Sequence, residues 1–145
     1  DPEEAKRLWA GDSFQLAFAE EGTETALRTD LQIGLRNNEP AIERSSSLIT
    51  INDDWIGWFK HELAITRDEA NKKTYYEFMI PFTELYSTGY DVKKAPKHYM
   101  SFLLNDRDVE MNPYDGNGRE LMFEYGSGIG FSRRADLFKQ FNLMR

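Results

Sequence analysis

The chain has 145 residues, a length typical of one domain that buries roughly 70% of its unfolded surface, and it contains no cysteine, which excludes disulfides and thiolate metal sites. Acidic residues outnumber basic ones by 25 to 18, and the resulting net charge of −7 argues against nucleic acid or a phospholipid surface as a partner. No apolar run reaches the roughly 20 residues that a membrane-spanning helix needs.

Alternation of apolar and polar residues dominates the first third of the chain and is typical of strands. Phe14, Leu16 and Phe18 share one face of the first predicted strand, with polar or small residues between them. Residues 29–37 repeat the pattern, and the β-branched stretch 46–52 predicts a further short strand.

The middle of the chain predicts a β-hairpin. Residues 58–68 and 74–80 both alternate, and the hydrophilic segment 67–73 between them is typical of a connecting turn. Pro81 has no backbone N–H to donate to a neighbouring strand, so we expect the second strand of this hairpin to end there.

Three more strands are predicted, near residues 98–108, 119–125 and 137–145, with glycine-rich loops before the second and the third. Seven or eight short strands with almost no helix indicate an all-β fold. We interpret residues 1–145 as a single antiparallel β-sandwich domain of jelly-roll-like type, with a β-barrel as the alternative architecture.

Patterns that indicate catalysis are weak. His61 and His98 stand in no metal-ligand spacing, and Ser127 lies between glycines without the strand-to-helix turn of a hydrolase nucleophile. Carboxylates are plentiful, but no pair stands in an apolar setting that would raise a pKa, as the acid of a glycosidase requires. We therefore predict that the chain is not itself an enzyme.

The segment 105–117 places oxygen-bearing side chains at alternate residues, as calcium-binding loops do. It departs from an EF-hand because Met111 stands where the sharp turn needs glycine. A looser calcium site that uses Asp106 and Asp108 is one interpretation, and a solvated turn without metal is the other.

Three tryptophans, Trp9, Trp55 and Trp58, stand in polar company. An exposed ring beside hydrogen-bonding side chains suits a sugar, because the C–H face of a pyranose is apolar while its rim carries hydroxyls. Each ring that stacks on a sugar contributes roughly 1 to 2 kcal/mol to the free energy of binding. This pattern predicts a saccharide ligand bound with micromolar to millimolar affinity.

Four stretches of the chain, in the order in which they occur, match motifs of a known family: WAGDSFQLAF, YYEFMIPFTEL, SFLLNDRD and SGIGFSRRADLFKQFNLM. Together they resemble the strand starts and strand ends of carbohydrate-binding module family 9 and its relatives. The resemblance implies a sandwich of two antiparallel sheets in a secreted or periplasmic protein that processes polysaccharides. It also implies a sugar held between two aromatic rings.

The resemblance assigns the first of these rings to Trp9, just ahead of the first strand. The family's second tryptophan is absent, and Phe131 falls near its place in the sequence. Trp55 or Trp58, from another loop, is the alternative second wall of the site.

Polar contacts to the sugar are expected from Gln15, which matches a polar ligand-binding residue of the family, and from Arg133 or Arg134. Family domains carry several strands before the tryptophan motif, so we expect a domain truncated on its N-terminal side. Another chain or segment would then supply the missing strands.

Two other functions stay open on the sequence. The first is a structural or accessory domain whose aromatic residues serve packing alone. The second is a haem-binding relative of the same superfamily, with axial ligands drawn from His98, Met79, Met100, Met111 and Met122.

Overall fold

The computed structural model of the chain describes residue 8 and residues 11–46, 61–87, 90–95, 97–106, 121–130 and 132–142. Most of the predicted strand at 46–52 lies outside this part of the chain. Among the described residues, no helix has the length and apolar character needed to cross a membrane.

Antiparallel strands make up most of the described structure. They are β1 (Ser13–Ala19), β2 (Arg28–Arg36), β3 (Glu39–Ser46), β4 (Glu62–Asp68), β5 (Lys73–Met79), β6 (His98–Asp106), β7 (Leu121–Tyr125) and β8 (Lys139–Phe141). Six of them form one sheet in the order β3-β2-β1-β6-β7, with β8 also beside β6, and β4 pairs with β5 in a second sheet. The predicted all-β, sandwich-like fold is confirmed.

The side chains of β1 alternate between two faces of the large sheet that differ in chemistry. Phe14, Leu16 and Phe18 lie on the face that the β4-β5 hairpin covers, which we call the hairpin face. The buried core on this face also includes Leu31 and Ile33 of β2, and it packs against Leu63, Ile65 and Tyr76 of the hairpin. Burial of this apolar surface is the main stabilising contribution to the sandwich.

The other face of the large sheet, on which Ser13 and Gln15 lie, is called the polar face below. One end of it is covered by the loop between β7 and β8. Ile129, Ala135 and Phe138 from this loop pack against a buried set on the sheet, namely Ala17, Ala19 and Leu103. Elsewhere the polar face carries polar side chains that include Gln15, Gln32 and Glu43, beside the small residues Gly34 and Ala41.

β3 is a strand that the alternation pattern did not indicate. It follows β2 through a two-residue turn in which Asn37 and Asn38 have φ values of 52° and 64°. Two successive positive φ values are those of a type I′ turn, which matches the twist of a hairpin, and asparagine tolerates this conformation better than most residues. The Asn37-Asn38 pair was therefore an available signal for the hairpin.

The hairpin predicted around segment 67–73 is confirmed, with Asp68 opposite Lys73 at its end. The Asp68 carboxylate accepts hydrogen bonds from the backbone N–H of Asn71 at 3.1 Å and from its side-chain amide at 2.8 Å. These bonds lower the pKa of Asp68, with the side-chain bond as the larger cause. The second strand ends at Met79, shortly before Pro81, as expected.

Candidate functional site

A row of polar side chains crosses the polar face at the level of Gln15. Gln15 on β1 lies opposite Gln32 on β2, and Gln32 lies opposite Glu43 on β3. Neighbouring strands stand about 4.8 Å apart, so the three side chains span roughly 10 Å. Amides both donate and accept hydrogen bonds and a carboxylate accepts them, which is the chemistry that sugar hydroxyls require.

Burial differs along this row. Gln32 is 8% exposed and Glu43 is 9% exposed, whereas Gln15 is half-buried. Glu43 accepts a hydrogen bond from Arg36, which neutralises its charge inside the sheet layer. Gln15 is therefore the member of the row best placed to contact a ligand, and the two buried members support it.

Two other segments of the chain meet the polar face on either side of Gln15. Leu8, which is 7% exposed, packs over Gly34 of β2, because a β-carbon added to Gly34 would lie 3.8 Å from the Cδ2 atom of Leu8. A β-carbon built on Gly130 would lie 3.3 Å from Cδ1 of Leu103 on β6. Because β1 lies between β2 and β6, Gln15 sits between the points where Leu8 and Gly130 pack.

All the predicted aromatic walls of the site lie outside the described residues, namely Trp9, Trp55, Trp58 and Phe131. Trp9 is covalently next to Leu8, and Phe131 is covalently next to Gly130. Leu8 and Gly130 themselves pack on the polar face.

Glu124 on β7 is a residue that the sequence reasoning missed. Its Oε1 atom accepts hydrogen bonds from the backbone N–H groups of Ile129, at 2.6 Å, and Gly130, at 3.2 Å. One carboxylate therefore holds the segment that leads directly to Phe131. Glu124 lies opposite Leu103 on β6, in the same row as Gln15.

Replacing Glu124 with leucine removes the acceptor of two backbone N–H groups, and we expect the free energy of unfolding to fall by about 1–3 kcal/mol. Hydrogen exchange measured at Ile129 and Gly130 should accelerate in this variant. Glu77→Leu is the matched control, because Glu77 is an exposed carboxylate of β5. Equal protection of both amides in Glu124→Leu and the wild type would contradict the positioning role.

The two predicted arginines differ in their surroundings. Arg134 donates to Asp136, with 2.6 Å between Nη2 and Oδ2, and its Nη1 lies 3.8 Å from Glu24. The hydrogen bond from Arg134 is the main cause of a lowered pKa at Asp136. Arg133 is exposed and has a φ of 46°. Of the pair, Arg133 is the better candidate for a donor to a ligand, since two carboxylates already compensate the charge of Arg134.

The calcium hypothesis is described only in part. Asp106 is exposed at the end of β6, opposite Leu121 of β7, and Asp108 lies outside the described residues. Within the described part of the chain, no three His, Asp or Glu side chains come together as a metal site. Calcium binding by Asp106 and Asp108 stays a prediction.

A cleft of about 650 Å³ opens at the β1–β2 connection, away from Gln15. We call it the tyrosine cleft, because Tyr90 and Tyr99 line it together with Glu20, Glu21 and Lys94. The Tyr90 ring stacks on Tyr86, with ring centroids 4.7 Å apart. Aromatic rings beside charged groups make this cleft a second place where a polar ligand with an apolar face would fit.

The haem alternative concerns His98, which is 2% exposed. Its ring lies against the rings of Tyr86, Tyr90 and Phe141. Among the described residues, neither His98 nor a methionine lines the tyrosine cleft. Haem ligation by His98 stays a prediction.

The fold and the polar face define an antiparallel β-sandwich domain. No family model, curated protein or solved structure matched the chain.

Proposed function

We propose that this chain is a noncatalytic carbohydrate-binding domain that holds a saccharide on its polar face. The observation that carries the proposal is the position of Leu8 and Gly130 on either side of Gln15. It supports a site in which Trp9 and Phe131 are the aromatic walls and Gln15 supplies the polar contact between them.

The chemistry of the row fits a neutral ligand with hydroxyl groups. The Gln15 amide donates to one hydroxyl and accepts from another, while Gln32 and Glu43 sit beside it in the same row. Each stacked sugar face contributes roughly 1 to 2 kcal/mol. Two rings and a few hydrogen bonds then give dissociation constants in the micromolar to millimolar range.

Such a domain changes no covalent bond in the saccharide. Its role would be to keep an attached or associated polysaccharide-processing enzyme close to its substrate, which raises the effective concentration of that substrate. The proposal includes a secreted or periplasmic location, since polysaccharides are found there.

The proposal is tested by binding to insoluble polysaccharides and to a glycan array. Trp9→Ala should weaken binding about 5- to 30-fold, because it removes one stacking face worth roughly 1 to 2 kcal/mol. Tyr75→Ala is the matched control, since Tyr75 is a 51% exposed ring on the hairpin. It should bind as the wild type does.

Two outcomes would contradict the proposal in different ways. Undiminished binding by Trp9→Ala, together with lost binding by Tyr90→Ala, would move the site to the tyrosine cleft. Failure of the wild type to retain any saccharide would leave the structural or accessory domain as the function.

A further inference from the structure

The tyrosine cleft lies at the end of the large sheet where β1 leads into β2. Tyr99, near the start of β6, packs against the buried set on the polar face, whereas Tyr90 packs against the core on the hairpin face. Tyr99 lies opposite Ala19 of β1, four residues beyond Gln15. At about 3.3 Å per residue, Tyr99 is roughly 13 Å along the sheet from the level of Gln15. The cleft is therefore a separate place from the polar row.

Packing holds both tyrosine rings in place. A β-carbon added to Gly22 would lie 2.4 Å from Cε1 of Tyr99, so the Tyr99 ring occupies space that the glycine leaves open. The Tyr90 ring stacks on Tyr86, with ring centroids 4.7 Å apart, and its hydroxyl donates to the carbonyl oxygen of Lys97 at 3.4 Å. Side chains that are already ordered lose little conformational entropy when a ligand binds.

The charged groups of the cleft are nearly balanced. Among the described residues, three carboxylates and two lysines line it, and Asp91 forms an ion pair with Lys94 at 3.1 Å. Glu20 accepts a hydrogen bond from the backbone N–H of Ser87 at 2.6 Å. This balance favours neither a cation nor an anion. Carboxylates accept hydrogen bonds and ammonium groups donate them, so together they suit hydroxyl groups, which do both.

We propose that the tyrosine cleft is a second saccharide-binding subsite, separate from the polar face. The Tyr90 and Tyr99 rings are half-buried, so part of each ring stays open to contact the apolar C–H face of a pyranose. The carboxylates and lysines bind its hydroxyl groups. The volume of about 650 Å³ lies within the roughly 300–1,000 Å³ of small-molecule sites.

The ligand class of this subsite rests on the proposed function, whereas its position rests on the cleft alone. Two subsites make the domain bivalent towards a polysaccharide chain that is long enough to contact both. Binding at one subsite then raises the effective concentration of the same chain at the other. The second subsite thereby slows the dissociation of the domain from a polysaccharide.

The test is a titration of isotope-labelled protein with four trisaccharides, followed by NMR. The trisaccharides are built from glucose, xylose, mannose and N-acetylglucosamine, and they are short so that each subsite is read separately. The backbone amides of Gly22 and Tyr99 report on the cleft, and those of Gln15 and Gln32 report on the polar face. At least one trisaccharide should shift the Gly22 and Tyr99 amides, with a dissociation constant between about 10 µM and 10 mM.

Two variants change the aromatic wall of the cleft. Tyr99→Ala should weaken the affinity read at Gly22 about 5- to 30-fold, because it removes one stacking ring. Gly22→Ala keeps the proposal testable if Tyr99→Ala does not fold, since its methyl group displaces only the far end of the Tyr99 ring. It should weaken the affinity read at Tyr99 about fivefold or more. Tyr75→Ala, at a 51% exposed ring of the hairpin, is the matched control and should leave the affinity unchanged.

Two results would overturn the second subsite. One is that no trisaccharide shifts the amides of Gly22 and Tyr99, and the other is an affinity that both wall variants leave at the wild-type value. Failure of this subsite differs from failure of the proposed function. Shifts at Gln15 and Gln32 alone would keep the polar-face site and remove the cleft subsite, whereas shifts at Gly22 and Tyr99 alone would do the reverse.

Discussion

Arg28→Met should lower the free energy of unfolding by about 3–5 kcal/mol, the largest loss we expect from a single charge removal. Arg28 and Asp30 form an ion pair at 2.9 Å, and both side chains are only 10% exposed. The guanidinium also donates to the carbonyl oxygen of Gly128 and lies 5.1 Å from the ring centroid of Phe138. Its removal leaves the Asp30 carboxylate buried without this cation and takes away one hydrogen bond that holds the loop between β7 and β8.

Urea denaturation of the wild type and the variant measures this loss. Arg67→Met is the matched control, because the ion pair of Arg67 with Glu69 is exposed, with side chains 44% and 69% accessible. An exposed pair contributes at most about 1 kcal/mol. If both variants unfold at the same denaturant concentration, the buried Arg28 pair adds no more stability than the exposed Arg67 pair.

Gly128→Ala is the second large effect, and we expect a loss of about 2–4 kcal/mol. Gly128 has a φ of 112°, which side chains with a β-carbon rarely adopt. An added methyl group would lie 2.2 Å from the carbonyl oxygen of Arg134, and the carbonyl of Gly128 itself accepts from the backbone N–H of Arg134 at 3.1 Å. The loop must shift to admit the methyl, which breaks this hydrogen bond.

Gly11→Ala is the stability control for Gly128→Ala, since among the described residues, apart from its chain neighbours, no atom lies within 4 Å of a β-carbon built on Gly11. Its free energy of unfolding should stay within about 0.5 kcal/mol of the wild-type value. Thermal denaturation compares the two variants. Because the loop that contains Gly128 leads to Phe131, Gly128→Ala should also weaken the proposed saccharide binding. Unchanged stability in Gly128→Ala would mean that the loop relaxes at little cost.

The elements that the sequence predicted well are those with an apolar face to bury. Phe14, Leu16 and Phe18 were placed on one face of β1, and that face is packed by the hairpin. β3 was missed because Pro40 and its charged residues hide the alternation, and Ile42 is its one large apolar side chain. Its position depends on the Asn37-Asn38 turn and on pairing with β2, which are poorly visible in a pattern of hydrophobicity.

The candidate site was predictable only in part. Gln15 was predicted as a site residue because it matches a polar ligand-binding residue of the family that the sequence resembles, and the alternation of β1 placed it on the face opposite Phe14 and Leu16. Gln32 and Glu43 join it through strand pairing between distant positions, and the bonds of Glu124 to Ile129 and Gly130 depend on the path of a loop. The local sequence predicts which face of a strand a side chain lies on, but the register between strands decides which side chains are its neighbours.

The two-residue period of β1 links the buried core on the hairpin face to the polar face, on which we propose that a saccharide binds. A one-residue insertion that shifts the pairing register of Ser13–Ala19 would turn Gln15 towards the hairpin and Phe14 towards the polar face, unless a β-bulge absorbs the extra residue, as happens where the β2–β3 register shifts between Asp30 and Leu31. Changes of two residues preserve both faces at once. The proposed saccharide surface and the folded core therefore constrain the length of this strand together.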